Sequence, residues 1–79
     1  MSPTVFKVKN YRFLFYSREE SRMHVHILCP EGEAKFWLEP LVALESSHGL
    51  RKGQLVELQK IVEERYNEIK KAWQDHFKS

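Results

Sequence analysis

The sequence predicts an α+β domain in which a four-stranded antiparallel sheet packs on one long C-terminal helix. In the first half of the chain, apolar residues alternate with polar ones, as in strands that bury one face. In the second half they recur every three or four residues, as along one side of a helix. The 79 residues suit a single domain over 1–79. We expect the sheet over about 3–39, a connecting segment over about 40–51 and the helix over about 52–77.

The first two strands form a predicted hairpin. Phe6 and Val8 share one face of the first strand, and Phe13 and Phe15 share the same face of the second. The connection Lys9-Asn10 is short enough for a tight turn. A polar loop over 17–22 follows.

The next two strands form a second predicted hairpin. Their inward positions are Val25, Ile27, Phe36 and Leu38. Pro30-Glu31-Gly32 supplies the turn, and Pro40 ends the fourth strand because it cannot donate to a ladder. Residues 41–45 form either a short fifth strand or a helical turn, with the strand slightly favoured. Residues 46–49, Ser-Ser-His-Gly, are interpreted as a loop.

A single apolar stripe marks the predicted helix. Its members are Leu55, Leu58, Val62, Tyr66, Ile69, Trp73 and Phe77. At about 1.5 Å per residue the helix would be longer than a strand of five or six residues. We therefore expect its end to overhang, so that Trp73 and Phe77 either fold over a sheet edge or form an interface with another chain.

One helix can cover only one face of the sheet, so the sequence predicts that the other face stays open. Alternation assigns to this open face Arg12, Leu14, Tyr16, His24, His26, Leu28, Lys35 and Trp37. Mixed aromatic and cationic surfaces are typical of binding patches. The candidate partner-binding residues are Arg12, Tyr16, His24, His26, Lys35 and Trp37. Cross-strand pairing of solvated side chains is the alternative interpretation.

The open face also suggests two kinds of chemistry. His24 and His26 stand two apart on a strand and could share a zinc ion, but the spacing brings no third ligand from Glu33, Glu39, His48 or His76. The pair is thus a weak metal candidate, and no metal or other cofactor is expected. Arg12 and Lys35 together with the two histidines could instead bind RNA, or cleave it without a metal. The net charge of +2 permits a nucleic acid without indicating one.

A single cysteine, Cys29, cannot form an intramolecular disulfide, which favours a reducing compartment, and we expect a cytoplasmic protein. No apolar run is long enough for a membrane span, so no membrane association is expected. The sequence leaves the oligomeric state open.

Two runs of residues resemble a known family. They are Arg22-Met23-His24-Val25-His26-Ile27 and Gly32-Glu33-Ala34-Lys35-Phe36-Trp37-Leu38-Glu39-Pro40. Over nearly the whole chain the sequence is similar to the bacterial family called domain of unknown function 4160. The resemblance implies no established activity. It implies a component of a two-gene, toxin-antitoxin-like module, hence a protein-interaction module with a small protein partner encoded nearby.

Overall fold

The structure, a computed structural model, describes residues 4–16 and 21–77. It is an α+β fold with a five-stranded antiparallel sheet, whose strands follow the order of the sequence. The elements are β1 (Thr4–Val8), β2 (Tyr11–Leu14), β3 (His24–Cys29), β4 (Gly32–Trp37), β5 (Ala43–His48), α1 (Lys52–Glu64) and α2 (Tyr66–His76). Residues 17–20, most of the predicted polar loop, lie outside the described residues.

Both predicted hairpins are confirmed. In the first, Lys9 takes the left-handed conformation, with a φ of 54°. Its ammonium group forms an ion pair with Glu57 of α1, which ties the turn to the helix layer. The hydrogen bond to Lys9 lowers the pKa of Glu57, and the same bond raises the pKa of Lys9. The turn of the first hairpin is therefore stabilised by this ion pair as well as by its backbone conformation.

The core lies between one face of the sheet and the two helices, as the alternation predicted. Its fully buried members are Phe13, Phe15, Val25, Ile27, Phe36, Leu38, Leu58, Val62 and Ile69. Its three phenylalanines, Phe13, Phe15 and Phe36, are the largest of these side chains, and burying each of them stabilises the fold by roughly 1.5–3 kcal/mol. Burial of this face therefore holds the sheet against the two helices.

The fifth strand occupies Ala43–His48 rather than 41–45. The loop interpretation of residues 46–49 was wrong for its first three residues. β5 pairs with β4 through a register shift next to Phe36, which inserts an extra residue in β5. Ser47 and Glu45 are exposed, so the strand buries no regular row of side chains and its sequence shows no alternation.

The prediction of one long helix was wrong, because the helix is divided at Arg65. There φ is −108° and ψ is 24°, and the Arg65 N–H still donates to Ile61 O at 2.9 Å to complete α1. The Arg65 guanidinium lies over the Phe6 ring, 3.8 Å from its centroid, and binds Glu68 at 3.0 Å. The Ile69 N–H donates to the Arg65 carbonyl oxygen at 3.0 Å, and Ile69 is fully buried.

The end of α2 packs on the sheet instead of overhanging it. The Trp73 ring meets the Phe15 ring edge-on at 5.3 Å, and Phe77 lies 6.1 Å from Phe15. Both side chains are half-buried against the core. These contacts agree with the alternative in which Trp73 and Phe77 fold over the sheet, and an interface of the two residues with another chain stays a prediction.

Candidate functional site

The strand register arranges the residues of the open face in rows that cross the sheet. One row contains Leu14, His26, Lys35 and Ser46, and the next contains His24, Trp37 and Ala43. Directly opposed side chains in such rows are close enough to interact. The predicted candidates His24, His26, Lys35 and Trp37 are therefore neighbours.

Trp37 is the centre of this group. The Arg22 guanidinium lies over its ring at 4.0 Å from the centroid, and the Lys35 ammonium lies over it at 4.6 Å. Arg22 Nε also donates to the Glu39 carbonyl oxygen at 2.9 Å, which orients the guanidinium. Each cation–π contact at a half-exposed site stabilises its arrangement by about 0.5–1 kcal/mol. The indole is thus held in place with part of its surface in solvent.

Tyr16 and His26 extend the group toward the middle of the face. Their ring centroids are 4.3 Å apart, and both side chains are half-buried. We call Tyr16, Arg22, His26, Lys35 and Trp37 the Trp37 surface. It offers three aromatic rings and two permanent cations.

A groove of about 510 Å³ adjoins the Trp37 surface. It is lined by His26 of β3, by Glu33 and Lys35 of β4, and by Ser46 and His48 of β5. The groove is open to solvent along the sheet, so it suits an extended segment better than an enclosed small molecule.

Two residues assigned to the open face are not open. His24 is 0% exposed and Leu14 is 2% exposed. The Trp73 ring lies 5.1 Å from the His24 ring, and His24 Nδ1 lies 2.7 Å from the Arg22 carbonyl oxygen. Sequence alternation places a side chain on a face but does not show what covers that face.

Arg12 lies apart from the other candidates. It is exposed, and its Nε donates to Thr4 Oγ1 at 2.7 Å. Its row passes through Leu28 to Glu33, so two strand spacings, roughly 10 Å, separate it from β4. Of the set proposed for RNA cleavage, His26 and Lys35 are directly opposed, whereas Arg12 is two strand spacings from Lys35 and His24 is buried.

The histidine pair was also the weak metal candidate. The ring centroids of His24 and His26 are 5.0 Å apart. Within the described part of the chain, no three His, Cys, Asp or Glu side chains are grouped as metal ligands. Glu39, one proposed third ligand, accepts the Met23 N–H at 3.1 Å.

Sequence reasoning missed two members of the site. Arg22 was interpreted as part of a polar loop, although an arginine just before a strand can reach an aromatic on the neighbouring strand. His48 was assigned to a loop because β5 was not recognised beyond residue 45. For His48 the sequence offered one weak signal. It is a histidine in an isolated polar segment that follows an apolar run.

The family model described as domain of unknown function (DUF4160) matches residues 10–74. The chain belongs to this family. The match confirms the resemblance, and it covers every residue of the Trp37 surface. A search of curated proteins and a search of solved structures give no match for this DUF4160 chain. Among its described residues, no helix is long and apolar enough to span a membrane.

Proposed function

We propose that the chain is a protein-interaction module that binds a small partner protein through the Trp37 surface. The observation that carries this proposal is the position of Trp37, a half-buried indole on the solvent side of the sheet with two cations over its ring. Core packing does not require a tryptophan there, because the buried face of β4 is filled by Phe36 and Ala34. The exposed part of the indole is therefore available to a partner.

The Trp37 surface has the residue types and the rigidity of an interface hot spot. Tryptophan, tyrosine and arginine dominate binding energy at protein interfaces. Contacts within the surface already orient Arg22, Lys35 and the Tyr16–His26 pair. Binding would then lose little side-chain entropy, since these groups are ordered before the partner arrives.

The charge of the open face indicates the chemistry of the partner. Register, alternation and contacts place on it four cations, Lys7, Arg12, Arg22 and Lys35, and two carboxylates, Glu33 and Glu39. This leaves +2 among the described residues placed there, and the two cations of the Trp37 surface, Arg22 and Lys35, lie over the indole. A partner that contributes carboxylates would match this surface.

The family resemblance suggests where the partner is encoded. Two-gene organisation would supply a small protein from the neighbouring gene, and a toxin-antitoxin-like pair is the finer form of this proposal. The chain would act there by binding, since two of the four residues suggested for catalysis are out of place: His24 is buried, and Arg12 lies two strands away from Lys35.

Co-expression with the product of the neighbouring gene tests the proposal. We expect a complex that survives gel filtration, and we expect the double variant His26→Ala with Trp37→Ala to raise the Kd by about 100-fold or more. Lys60→Ala on the exposed side of α1 is the control and should bind as the wild type does. A double variant that remains folded and binds normally would exclude the Trp37 surface.

RNA is the second candidate, because the same cations and aromatic rings suit phosphates and bases. Fluorescence anisotropy with a labelled single-stranded RNA separates the two candidates, RNA and a protein partner. Tight binding that weakens steeply with salt and is lost in Trp37→Ala would favour RNA over a protein partner.

A further inference from the structure

Two cations face each other across the β1–β2 hairpin. Lys7 and Arg12 are directly opposed in the strand register, on the open face, and both side chains are exposed. Like charges in this position repel each other and reduce stability. Within the described part of the chain, neither side chain forms an ion pair. The sheet therefore has an uncompensated pair of positive charges at this position.

A β-bulge adds a third side chain to this pair. The register between β1 and β2 shifts between Thr4 and Phe6. Residues three apart on a regular strand lie on opposite faces, whereas the extra residue brings Thr4 to the face of Lys7. There the Thr4 Oγ1 accepts the Arg12 Nε–H at 2.7 Å. This bond orients the guanidinium and does not use its two terminal amino groups, which are left for another acceptor.

The surroundings of the pair favour an anion. In the row that crosses the sheet, Arg12 is followed by Leu28 and then by Glu33, so this carboxylate is two strand spacings, roughly 10 Å, away. An anion with two or more oxygen atoms can accept hydrogen bonds from the guanidinium and from the ammonium group together. Its binding would also offset the repulsion between the two cations.

We propose that Thr4, Lys7 and Arg12 form an anion site that binds a carboxylate of the partner protein. This inference rests on the proposed function and adds a second point of contact to the Trp37 surface. Two strand spacings and two rows, roughly 17 Å in total, separate Arg12 from Trp37. A standard interface covers about 800 Å² of each protein, a patch roughly 30 Å across. One partner can therefore contact both places.

The arrangement favours a protein over RNA as the source of the anion. A single strand of RNA binds along a continuous cationic groove with aromatic rings for its bases. The row of the anion site continues with an apolar residue, Leu28, and a carboxylate, Glu33, so its cations do not begin such a track across the sheet. A folded protein can reach two separate points with different side chains.

Binding of the neighbouring gene's product tests the anion site. Lys7→Gln and Arg12→Gln each remove one positive charge, and Lys60→Gln removes the same charge from the exposed side of α1. We expect each of the first two to raise the Kd by about five- to tenfold, both together by about 30-fold or more, and the control to change it by less than about twofold. Added salt should weaken binding of the wild type more than binding of the double variant.

The stability of the free chain separates a binding role from a structural one. Because the two cations repel each other, Lys7→Gln should leave the urea midpoint of the free chain unchanged or raise it, although it weakens the complex. A midpoint clearly below those of the wild type and of Lys60→Gln would show that Lys7 stabilises the fold, and would overturn its role as a binding residue.

Other outcomes would also overturn the proposal. If Lys7→Gln with Arg12→Gln binds the partner normally while His26→Ala with Trp37→Ala does not, the anion site is excluded and the Trp37 surface remains the binding site. If the first double variant loses binding to a labelled single-stranded RNA while its protein complex is unchanged, the site binds phosphates of a nucleic acid instead. Absence of any complex would overturn both proposals.

Discussion

The Trp73 indole and the His24 imidazole lie 5.1 Å apart and at 64° to each other. One residue is near the end of the last helix, and the other begins β3 on the face of the sheet that the helices were not expected to reach. The same indole meets Phe15, which belongs to the buried side. Trp73 therefore covers one end of the sheet on both faces. The exposed part of the open face is then limited to the region around Trp37.

This closing contact predicts that Trp73 is a structural residue. Truncation in Trp73→Ala removes ring contacts to Phe15, His24 and Phe77, so we expect a loss of about 2–4 kcal/mol in the free energy of unfolding. Gln74→Ala, exposed on the same helix, should change it by less than about 0.5 kcal/mol. Urea denaturation followed by circular dichroism measures both, and equal stabilities would contradict the contact.

The two faces of β4 predict opposite behaviour for adjacent residues. Phe36 is fully buried, so Phe36→Ala should reduce the unfolding free energy by about 3–5 kcal/mol. Trp37 is half-exposed on the other face, and Trp37→Ala should cost about 1 kcal/mol while preserving the fold. Urea denaturation midpoints distinguish the two variants. A larger loss of stability in Trp37→Ala than in Phe36→Ala would contradict the assignment of Phe36 to the buried face and of Trp37 to the open face.

The close approach of β4 and β5 predicts that Gly32 tolerates no side chain. In Gly32→Ala the new Cβ would collide with the His48 carbonyl and with Gly49, and we expect a loss of about 1–3 kcal/mol. Gly53→Ala is the matched control, because no atom lies within 4 Å of a Cβ there. In α1 that change should stabilise the chain by about 0.5–1 kcal/mol.

Thermal unfolding of the two glycine variants gives the comparison, and NMR of the β5 amides locates the effect. Large shifts in β5 are expected only for Gly32→Ala. If both variants gained stability, the strands would not be as close as the structure has them.

The ion pair between Lys9 and Glu57 predicts a window of pH in which it stabilises the fold. The pKa of Glu57 is lowered by its bond to Lys9, so this contribution is present above the ordinary carboxyl pKa and is lost as the pH falls through the lowered value. The pKa of Lys9 is raised, so its contribution is present below the ordinary lysine pKa and is lost as the pH rises through the raised value.

Comparison of Glu57→Gln with the wild type measures this window. The difference in unfolding free energy should be greatest near neutral pH, vanish in acid and shrink with added salt, because both groups are exposed. Glu64→Gln, an exposed change on the same helix, should show no comparable profile. A difference that persists at a pH where Glu57 is protonated would assign the effect to packing instead of charge.

The sequence by itself determined the class of the fold and the sides of the first four strands. Alternation has a period set by the strand backbone, so Phe13, Val25, Ile27 and Phe36 were placed on the buried face before any neighbour was known. The grouping of His26, Lys35 and Trp37 followed from the same period. Family membership was likewise visible in local runs of residues.

The tertiary structure alone decided the features that depend on distant partners. β5 buries no regular row of side chains, so its extent is set by hydrogen bonding to β4 and leaves no period in its sequence. The helix is divided at Arg65 without a glycine or proline, so no local signal marks the division, and Ile69 and Trp73 of α2 pack on the core beyond it. The same packing covers His24, whose burial no local pattern could encode, since burial depends on what the rest of the chain places above a residue.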